Sequence, residues 1–226
     1  AEDGIRDVER SRGLGDVYKR QVLAFINQQM EPNMSDEDSK ESKSFGRSGF
    51  LDEKLFKSRT ITIFGEIDEK VARSVTERLL ALAAESDDPI IIYISSPGGH
   101  VESGDVVYDM INFIKPDVKI IGTGWVASAA TTIFLAAKKK NRFALPNTRF
   151  LVHQPSGGSR GDATDIAIQA EQIVKMKTRI NQLIADETGQ PLERVAEDTD
   201  RDYWMSVEEA LDYGILGKVV KSSTEI

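Results

Sequence analysis

The sequence contains no cysteine among its 226 residues. This excludes disulfide bonds, a thiolate nucleophile and zinc held by cysteine. Histidine is nearly as scarce, since His100 and His153 are the only two. Histidine-based acid–base chemistry must therefore use one of these two side chains, and we expect no histidine-rich metal site within one chain.

Long apolar runs are also missing. No stretch approaches the roughly 18 apolar residues that span a bilayer. The apolar stretch 22–26 is too short for the core of a signal peptide. We therefore expect a cytoplasmic protein without membrane contact. The formal net charge is −8, from 29 basic and 37 acidic residues, so we expect no nucleic-acid partner either.

Residues 1–49 differ in composition from the rest of the chain. Residues 1–29 lack any periodicity, and 13–21 resemble translated adapter sequence, so Met30 and Met34 are candidate native starts. Residues 31–49 are rich in Ser, Asp, Glu, Lys and Gly, a composition typical of disorder. We expect 1–49 to be a disordered or non-native extension and 50–226 to form a single domain.

From residue 50 onward, strand-like and helix-like patterns alternate. Short β-branched or apolar runs predict strands, and apolar residues at helical spacing predict helices. The predicted strands are 60–64, 90–94, 118–122 and 150–152, and the shorter predicted helices are 68–84, 102–114, 127–137 and 207–213. Asp68 is a candidate N-cap of the first of these helices. This alternation predicts an α/β domain with a mostly parallel sheet.

The longest helical pattern covers residues 162–188 and ends at Gly189 and Pro191. A helix of about 25 residues is about 38 Å long, which exceeds the diameter of a small domain. Its apolar stripe consists of Ile166, Ala170, Ile173, Met176, Ile180 and Ile184. The helix either folds back on its own core or protrudes as an oligomerisation arm.

A serine and a histidine follow two of the predicted strands. Ser128 lies at the start of a small-residue helix, where free N–H groups and the helix dipole favour developing negative charge. A serine hydroxyl needs a base to become a nucleophile, and His153 follows the strand 150–152. The alternatives are an ordinary N-cap serine and a structural histidine, with His100 as a second candidate base.

A glycine turn and an acidic segment supply two further candidates. Gly98 and Gly99 follow the buried strand 90–94, and their backbone N–H groups suit either an oxyanion hole or a plain turn. The segment 197–206 contains three aspartates that could orient a histidine: Asp198, Asp200 and Asp202. It could equally be a solvated loop that ends in a capping box of Ser206 and Glu209.

Taken in order, these motifs resemble the ClpP family, the peptidase subunits of the Clp protease, from Thr60 to Val220. The matching strings are Ser96-Pro97-Gly98-Gly99, Ala127-Ser128, Leu145-Pro146-Asn147-Thr148-Arg149, His153-Gln154-Pro155, Ala163-Thr164-Asp165-Ile166, Thr188-Gly189-Gln190 and Asp198-Thr199-Asp200-Arg201-Asp202. The resemblance implies an α/β spiral of β-β-α units, a core shared with crotonases, with residues 162–188 as a protruding handle helix.

The resemblance also implies roles for individual residues. Ser128 would be the nucleophile, His153 the general base and Asp202 the orienting acid. The backbone N–H groups of Gly99 and Ala129 would form the oxyanion hole. His100 would take no part in the chemistry, and neither a metal nor an organic cofactor is implied.

The implied assembly is two stacked heptamers around a closed chamber, with Asp200 and Arg201 in the contact between rings. The implied function is ATP-dependent degradation of unfolded polypeptides, delivered by an AAA+ unfoldase such as ClpX, ClpA or ClpC.

The sequence departs from the family pattern in two places beside the nucleophile, namely at Trp125 and at the pair Ala129-Ala130. The segment 45–56 also departs from the usual pattern, which suggests a divergent second paralogue in a mixed ring.

Three alternatives remain open from the sequence. The chain could be a non-catalytic or activation-dependent subunit of a mixed ring. It could be a crotonase-type acyl-CoA enzyme, which would ordinarily use carboxylates for proton transfer. It could also resemble signal-peptide peptidases of the same fold, which typically use a lysine as the base.

Overall fold

The computed structural model describes residues 49–158 and 160–226. By packing, the chain divides into a unit that ends at Leu51 and a second unit, Asp52–Ile226. In the first unit residues 49–51 are described, and they are helical. The expectation for residues 1–48 lies outside the described residues. In the second unit residues 52–57 are helical and precede the first strand.

The strands of the described residues form one sheet with mostly parallel pairing. In chain order they are β1 (Thr60–Phe64), β2 (Ile90–Ser96), β3 (Val118–Ala127), β4 (Arg142–Ala144), β5 (Arg149–Val152), β6 (Tyr203–Met205) and β7 (Lys218–Val219). The order β1-β2-β3-β4-β7 is parallel throughout. β5 runs parallel to the end of β3, and β6 runs antiparallel to β5. The predicted α/β class with a mostly parallel sheet is confirmed.

Six α-helices connect these strands within the described residues. They are α1 (Glu69–Glu85), α2 (Val101–Phe113), α3 (Ala129–Leu135), α4 (Ala163–Thr188), α5 (Leu192–Asp198) and α6 (Val207–Tyr213). Two predicted caps are present. The Asp68 carboxylate accepts a hydrogen bond from the Val71 N–H at 2.8 Å, and Ser206 and Glu209 form a capping box. None of the described helices has the length and apolarity needed to cross a bilayer.

The core lies between the sheet and the helices that cross over it. Ile90, Ile92 and Ile94 of β2 are fully buried, whereas the alternate residues Ile91 and Tyr93 are half-buried, so one face of this central strand is covered more completely than the other. The short helix α3 is buried along its whole length. Its Phe134 packs edge-on against Phe150 of β5, with ring centroids 5.2 Å apart. This packing fixes α3, and therefore the residue before it, against the sheet.

The prediction for β3 was too short, and the prediction for α3 began too early. β3 continues to Ala127 because it has two successive neighbours on the same edge. Its first half pairs with β4, and its last residues pair with β5. The extended backbone therefore persists up to the residue before Ser128, and the helix begins only at Ala129.

Helix α4 has two different halves. It contains 26 residues, which makes it about 39 Å long. Its described residues 163–172 are all exposed, whereas Ile180, Ile184 and Ala185 are buried in the core. The side chains of Ile166 and Ile168 are 43% and 49% exposed. The interpretation that the whole helix folds back on its own core is therefore wrong, because its N-terminal half protrudes.

A buried arginine holds the base of α4. Arg142, on β4, is 1% exposed and donates to the carbonyl oxygens of Leu135, Ala137 and Glu187. It also pairs with the Glu187 carboxylate. Burial lowers the pKa of Arg142, and the Glu187 charge opposes that effect. Through these bonds the C-terminal ends of α3 and α4 are fixed to each other.

Candidate active site

Ser128 occupies the single residue between β3 and α3, with φ 57° and ψ −123°. A positive φ is unfavourable for a residue with a side chain and marks a strained turn. The Ser128 N–H donates to the Leu151 carbonyl at 3.0 Å, and the side chain makes no cap hydrogen bond to α3. The interpretation of Ser128 as an ordinary N-cap is therefore wrong.

His153 follows β5, the strand that pairs with the end of β3. Because Ala127 and Leu151 are in register, residues that directly follow the two strands lie at the same edge of the sheet. His153 Nε2 lies 2.8 Å from Ser128 Oγ. One of the two candidate bases is thus in hydrogen-bond contact with the candidate nucleophile.

The other histidine is bound within its own helix turn. His100 Nδ1 lies 2.9 Å from Ser103 Oγ, and its Nε2 lies 3.2 Å from a Glu102 oxygen. Both partners belong to the first turn of α2. His100 is therefore occupied by local contacts and makes none to Ser128.

The three candidate aspartates have three different partners. Asp202 Oδ1 lies 3.0 Å from His153 Nδ1, because β6 pairs antiparallel with β5 and brings residue 202 beside residue 153. Asp198 accepts from the Tyr213 hydroxyl at 2.9 Å. Burial, and then this hydrogen bond, raise the pKa of Tyr213. Asp200 contacts Lys177 of α4 at 3.1 Å.

The acidic segment is held in place by hydrogen bonds to two other parts of the chain. Thr199 is fully buried, and its hydroxyl donates to Asn181 Oδ1 of α4 at 2.9 Å. The Gln154 N–H donates to the Thr199 carbonyl at 2.5 Å, and Gln154 Nε2 donates to the Asp200 carbonyl at 2.6 Å. The segment before Asp202 is therefore attached both to α4 and to the residue after His153.

The glycine turn lies directly against Ser128. Gly98 and Gly99 have φ values of 94° and 148°. A Cβ atom on Gly98 would lie 2.6 Å from the Ser128 Cβ, and one on Gly99 would lie 2.3 Å from the Ile67 carbonyl oxygen. Neither position has room for a side chain. Among the described residues, no backbone acceptor is found for the N–H groups of Gly99 and Ala129.

Sequence reasoning missed Thr131, which joins the two strands that carry the site. Its buried hydroxyl lies 2.9 Å from the Val126 carbonyl oxygen and 2.8 Å from the Leu151 carbonyl oxygen. A threonine in a short apolar helix carries no sequence signal for this role, because its acceptors belong to β3 and β5. The contact becomes visible only when the two strand ends are brought together.

The remaining predicted site residues lie at the edge of this cluster. Arg201 is exposed and makes no hydrogen bond or ion pair with another described residue. Trp125, three residues before Ser128, is 45% exposed. Across 49–158 and 160–226, no group of three acidic or histidine side chains is arranged to hold a metal ion.

Known proteins resemble this chain over most of its length. The profile of the family described as Clp protease matches residues 46–223. The ATP-dependent Clp protease proteolytic subunit 3 of Rhizobium etli is 59% identical over 172 residues, which cover 76% of this chain and 89% of that protein. The proteolytic subunit 2 of Gluconobacter oxydans is 52% identical and covers 87% of this chain and 88% of that protein.

A solved structure of the same family has a fold similar to that of this chain. ClpP1 from Listeria monocytogenes superimposes with a TM-score of 0.71 at 51% sequence identity, covering 77% of this chain and 98% of that chain. The family profile spans well over half of the sequence, and the curated relatives share more than half of their aligned residues with it. The chain belongs to the Clp protease family.

Proposed function

We propose that this chain is the serine endopeptidase subunit of an ATP-dependent Clp protease, with Ser128, His153 and Asp202 as its catalytic residues. The observation that carries the proposal is the continuous hydrogen-bonded line from Ser128 Oγ through the His153 ring to Asp202 Oδ1, with distances of 2.8 and 3.0 Å. A line of nucleophile, base and orienting acid is the arrangement that activates a hydroxyl for acyl transfer.

The proposed reaction proceeds in two acyl transfers. Ser128 Oγ attacks the peptide carbonyl carbon while His153 Nε2 takes the hydroxyl proton. His153 then gives this proton to the leaving amine as the C–N bond breaks and the acyl-enzyme forms. Water attacks the ester in the same way, with His153 again as the base. The products are a carboxylic acid and the free serine.

Asp202 and two backbone N–H groups complete the proposed mechanism. Asp202 keeps the Nδ1–H tautomer of His153 and stabilises the imidazolium that forms when the ring takes the proton. The N–H groups of Gly99 and Ala129 would donate to the oxyanion of the tetrahedral intermediate. The absence of a side chain at Gly98 and Gly99 supports this role, because a carbonyl oxygen needs close approach to the backbone. The reaction needs no cofactor in this chain.

For the assembly, we infer that the peptidase domain comprises residues 50–226, with the handle at about 162–188. Clp protease family members are oligomeric and work with Clp ATPases. We propose two stacked heptamers, or a mixed ring with a paralogue, in the cytoplasm. The exposed apolar residues of the N-terminal half of α4 support a handle that meets the opposite ring. An AAA+ unfoldase of the ClpX, ClpA or ClpC type would deliver unfolded polypeptides.

A carboxylate base, as expected for an acyl-CoA enzyme of the crotonase type, is not favoured by the site. Ser128 Oγ contacts an imidazole nitrogen, and the one carboxylate in the line lies behind that imidazole. The histidine at this position also disfavours the lysine-base mechanism of the signal-peptide peptidases.

The first experiment tests the nucleophile. Ser128→Ala is expected to abolish cleavage of a fluorogenic peptide and labelling by a fluorophosphonate probe, because Ser128 Oγ is the one hydroxyl of the described residues that is hydrogen-bonded to His153. Ser74→Ala, on the exposed side of α1, is the matched control and should keep both. Cleavage that survives in Ser128→Ala would contradict the proposal, and a purified wild-type chain in which the probe never labels Ser128 would favour a non-catalytic subunit.

The second prediction separates the three aspartates. Asp202→Asn should lower kcat by about 10⁴-fold while KM changes little, because an amide favours the wrong histidine tautomer. Asp198→Asn is the matched control and should change kcat only a few-fold, since Asp198 bonds Tyr213. Steady-state kinetics on both variants decide the assignment. A larger loss in Asp198→Asn than in Asp202→Asn would overturn it.

The third prediction concerns Asp200 and Arg201, which we propose for the contact between rings. Arg201→Ala should convert the double ring to single rings, so that the particle mass measured by light scattering falls to half. The control is Arg73→Ala, which removes an exposed arginine paired within α1. An Arg201→Ala particle of unchanged mass would show that this side chain is not needed between the rings.

A further inference from the structure

Thr131 places a hydroxyl group between the two strands that carry the candidate site. It lies on the buried helix α3 and is itself 1% exposed. Its Oγ1 lies 2.9 Å from the Val126 carbonyl oxygen and 2.8 Å from the Leu151 carbonyl oxygen. Val126 is two residues before Ser128, and Leu151 is two residues before His153. One hydroxyl therefore contacts both strands just before each of them ends in a proposed catalytic side chain.

The bonds of Thr131 close a ring around Ser128. The Leu151 carbonyl oxygen that Thr131 Oγ1 contacts also accepts from the Ser128 N–H at 3.0 Å. The Thr131 N–H in turn donates to the Ser128 carbonyl oxygen at 2.9 Å. A carbonyl oxygen has two lone pairs, so the Ser128 N–H and the Thr131 hydroxyl can donate to the Leu151 oxygen together. Both peptide groups of Ser128 are thus held by a ring that includes Thr131.

Ser128 has a competing conformation that this ring opposes. A serine directly before a helix ordinarily has an extended backbone, and its Oγ accepts from the N–H of the second or third helical residue. In α3 the third residue is Thr131. The observed φ of 57° is strained instead, and Oγ contacts His153 Nε2. Local chemistry therefore favours a capping serine, and bonds from elsewhere in the chain must hold Ser128 beside His153.

We propose that Thr131 is a positioning residue for the peptidase reaction, whose hydroxyl holds Ser128 in the conformation that contacts His153. The inference rests on the proposed function. Thr131 acts through two carbonyl groups, since the Leu151 oxygen fixes the Ser128 N–H and the Val126 oxygen fixes the end of β3. Without the hydroxyl, Ser128 turns to the capping conformation and its Oγ leaves His153.

The first test replaces the hydroxyl by a methyl group. Thr131→Val should lower kcat by about 10- to 100-fold, because two buried carbonyl oxygens lose a donor. KM should change little, because the same fraction of free enzyme and of substrate complex would adopt the capping conformation. Inactivation by a fluorophosphonate should slow by the same factor, since it needs the same nucleophile and base. Thr131→Ser keeps the hydroxyl and should stay within a few-fold of the wild-type kcat.

This pair of variants separates positioning from packing. If Thr131 only filled space in the core, valine would be tolerated better than serine, because serine lacks a methyl group and leaves a void. The proposal predicts the opposite order in kcat. If Thr131→Val does not fold, Thr131→Ser and Thr131→Ala give the same comparison, since these two differ only in the hydroxyl.

Thr148→Val is the matched control. Thr148 is 2% exposed, and its hydroxyl donates to the carbonyl oxygen of Gly122 on β3 at 3.0 Å, six residues before Ser128. This variant also removes a buried hydrogen bond to β3, but at a point away from Ser128. It should lower the thermal stability without a comparable loss of kcat.

A crystal structure of Thr131→Val gives a second measurement that does not depend on activity. Ser128 should have a negative φ, with its Oγ within about 3 Å of the backbone nitrogen of residue 131. A structure in which Ser128 keeps its positive φ and its contact with His153 would overturn the inference.

The kinetic outcomes distinguish this inference from the proposed function. An unchanged kcat in Thr131→Val, or an equal loss in Thr131→Ser, would overturn the positioning role while leaving the peptidase function in place. If the wild-type chain cleaves no peptide and a fluorophosphonate does not label Ser128, the proposed function itself fails. The structure of Thr131→Val would still decide whether the hydroxyl holds the conformation of Ser128.

Discussion

The left-handed turn at Ser128 is the constraint on which the rest of the site depends. A positive φ at a residue with a side chain costs on the order of 1–3 kcal/mol and persists only where the surroundings enforce it. Here the enforcement comes from both sides. The Ser128 N–H is bound to the Leu151 carbonyl, and the helix that follows is buried along its whole length. The turn directs the side chain away from the capping position and toward His153.

The conformation of Ser128 also restricts which residues can lie next to it. Gly98 approaches Ser128 so closely that a Cβ atom would clash with the serine Cβ. Thr131 bonds the ends of β3 and β5, which carry the nucleophile and the base. Each of these features would by itself be unfavourable for the stability of the fold, since one is a glycine in a loop and the other a polar group in an apolar helix. Together they hold the two reacting side chains at hydrogen-bond distance.

Helix α4 links this site to the outer part of the molecule. Its C-terminal half supplies Ile180 and Ile184 to the wall of a small cavity beside Ser128, and Asn181 to the buried bond with Thr199. Its N-terminal half is exposed and apolar in part. Because one helix contains both halves, a contact made by the proposed handle would act on the same element that positions the acidic segment. The proposed oligomer contact and the proposed catalytic site would therefore share one structural element in this chain.

Much of the fold was predictable from the sequence, because it is encoded by short-range patterns. β1, α6 and the Asp68 cap follow from local periodicity and capping chemistry, and the structure confirms them. The short strands β4, β6 and β7 were missed, since two or three residues carry too little periodicity to be recognised. The true length of β3 depends on its pairing with β5, which no local pattern contains.

The candidate site was also predictable only in part from local sequence patterns. Local sequence favoured a serine, two histidines and three aspartates without choosing among them, because the choice depends on which strands are neighbours. The antiparallel pairing of β6 with β5 brings Asp202 to His153, whereas Asp198 and Asp200 find Tyr213 and Lys177. The resemblance to the ClpP family indicated Asp202 from its motif. The hydrogen-bond geometry agrees with that choice for an independent, physical reason.

The most direct measurement is a crystal structure of the assembled chain after reaction with diisopropyl fluorophosphate. The account predicts a phosphoryl group bonded to Ser128 Oγ, with its phosphoryl oxygen within about 3 Å of the N–H groups of Gly99 and Ala129. An unmodified Ser128, or an adduct whose phosphoryl oxygen points away from both N–H groups, would contradict it.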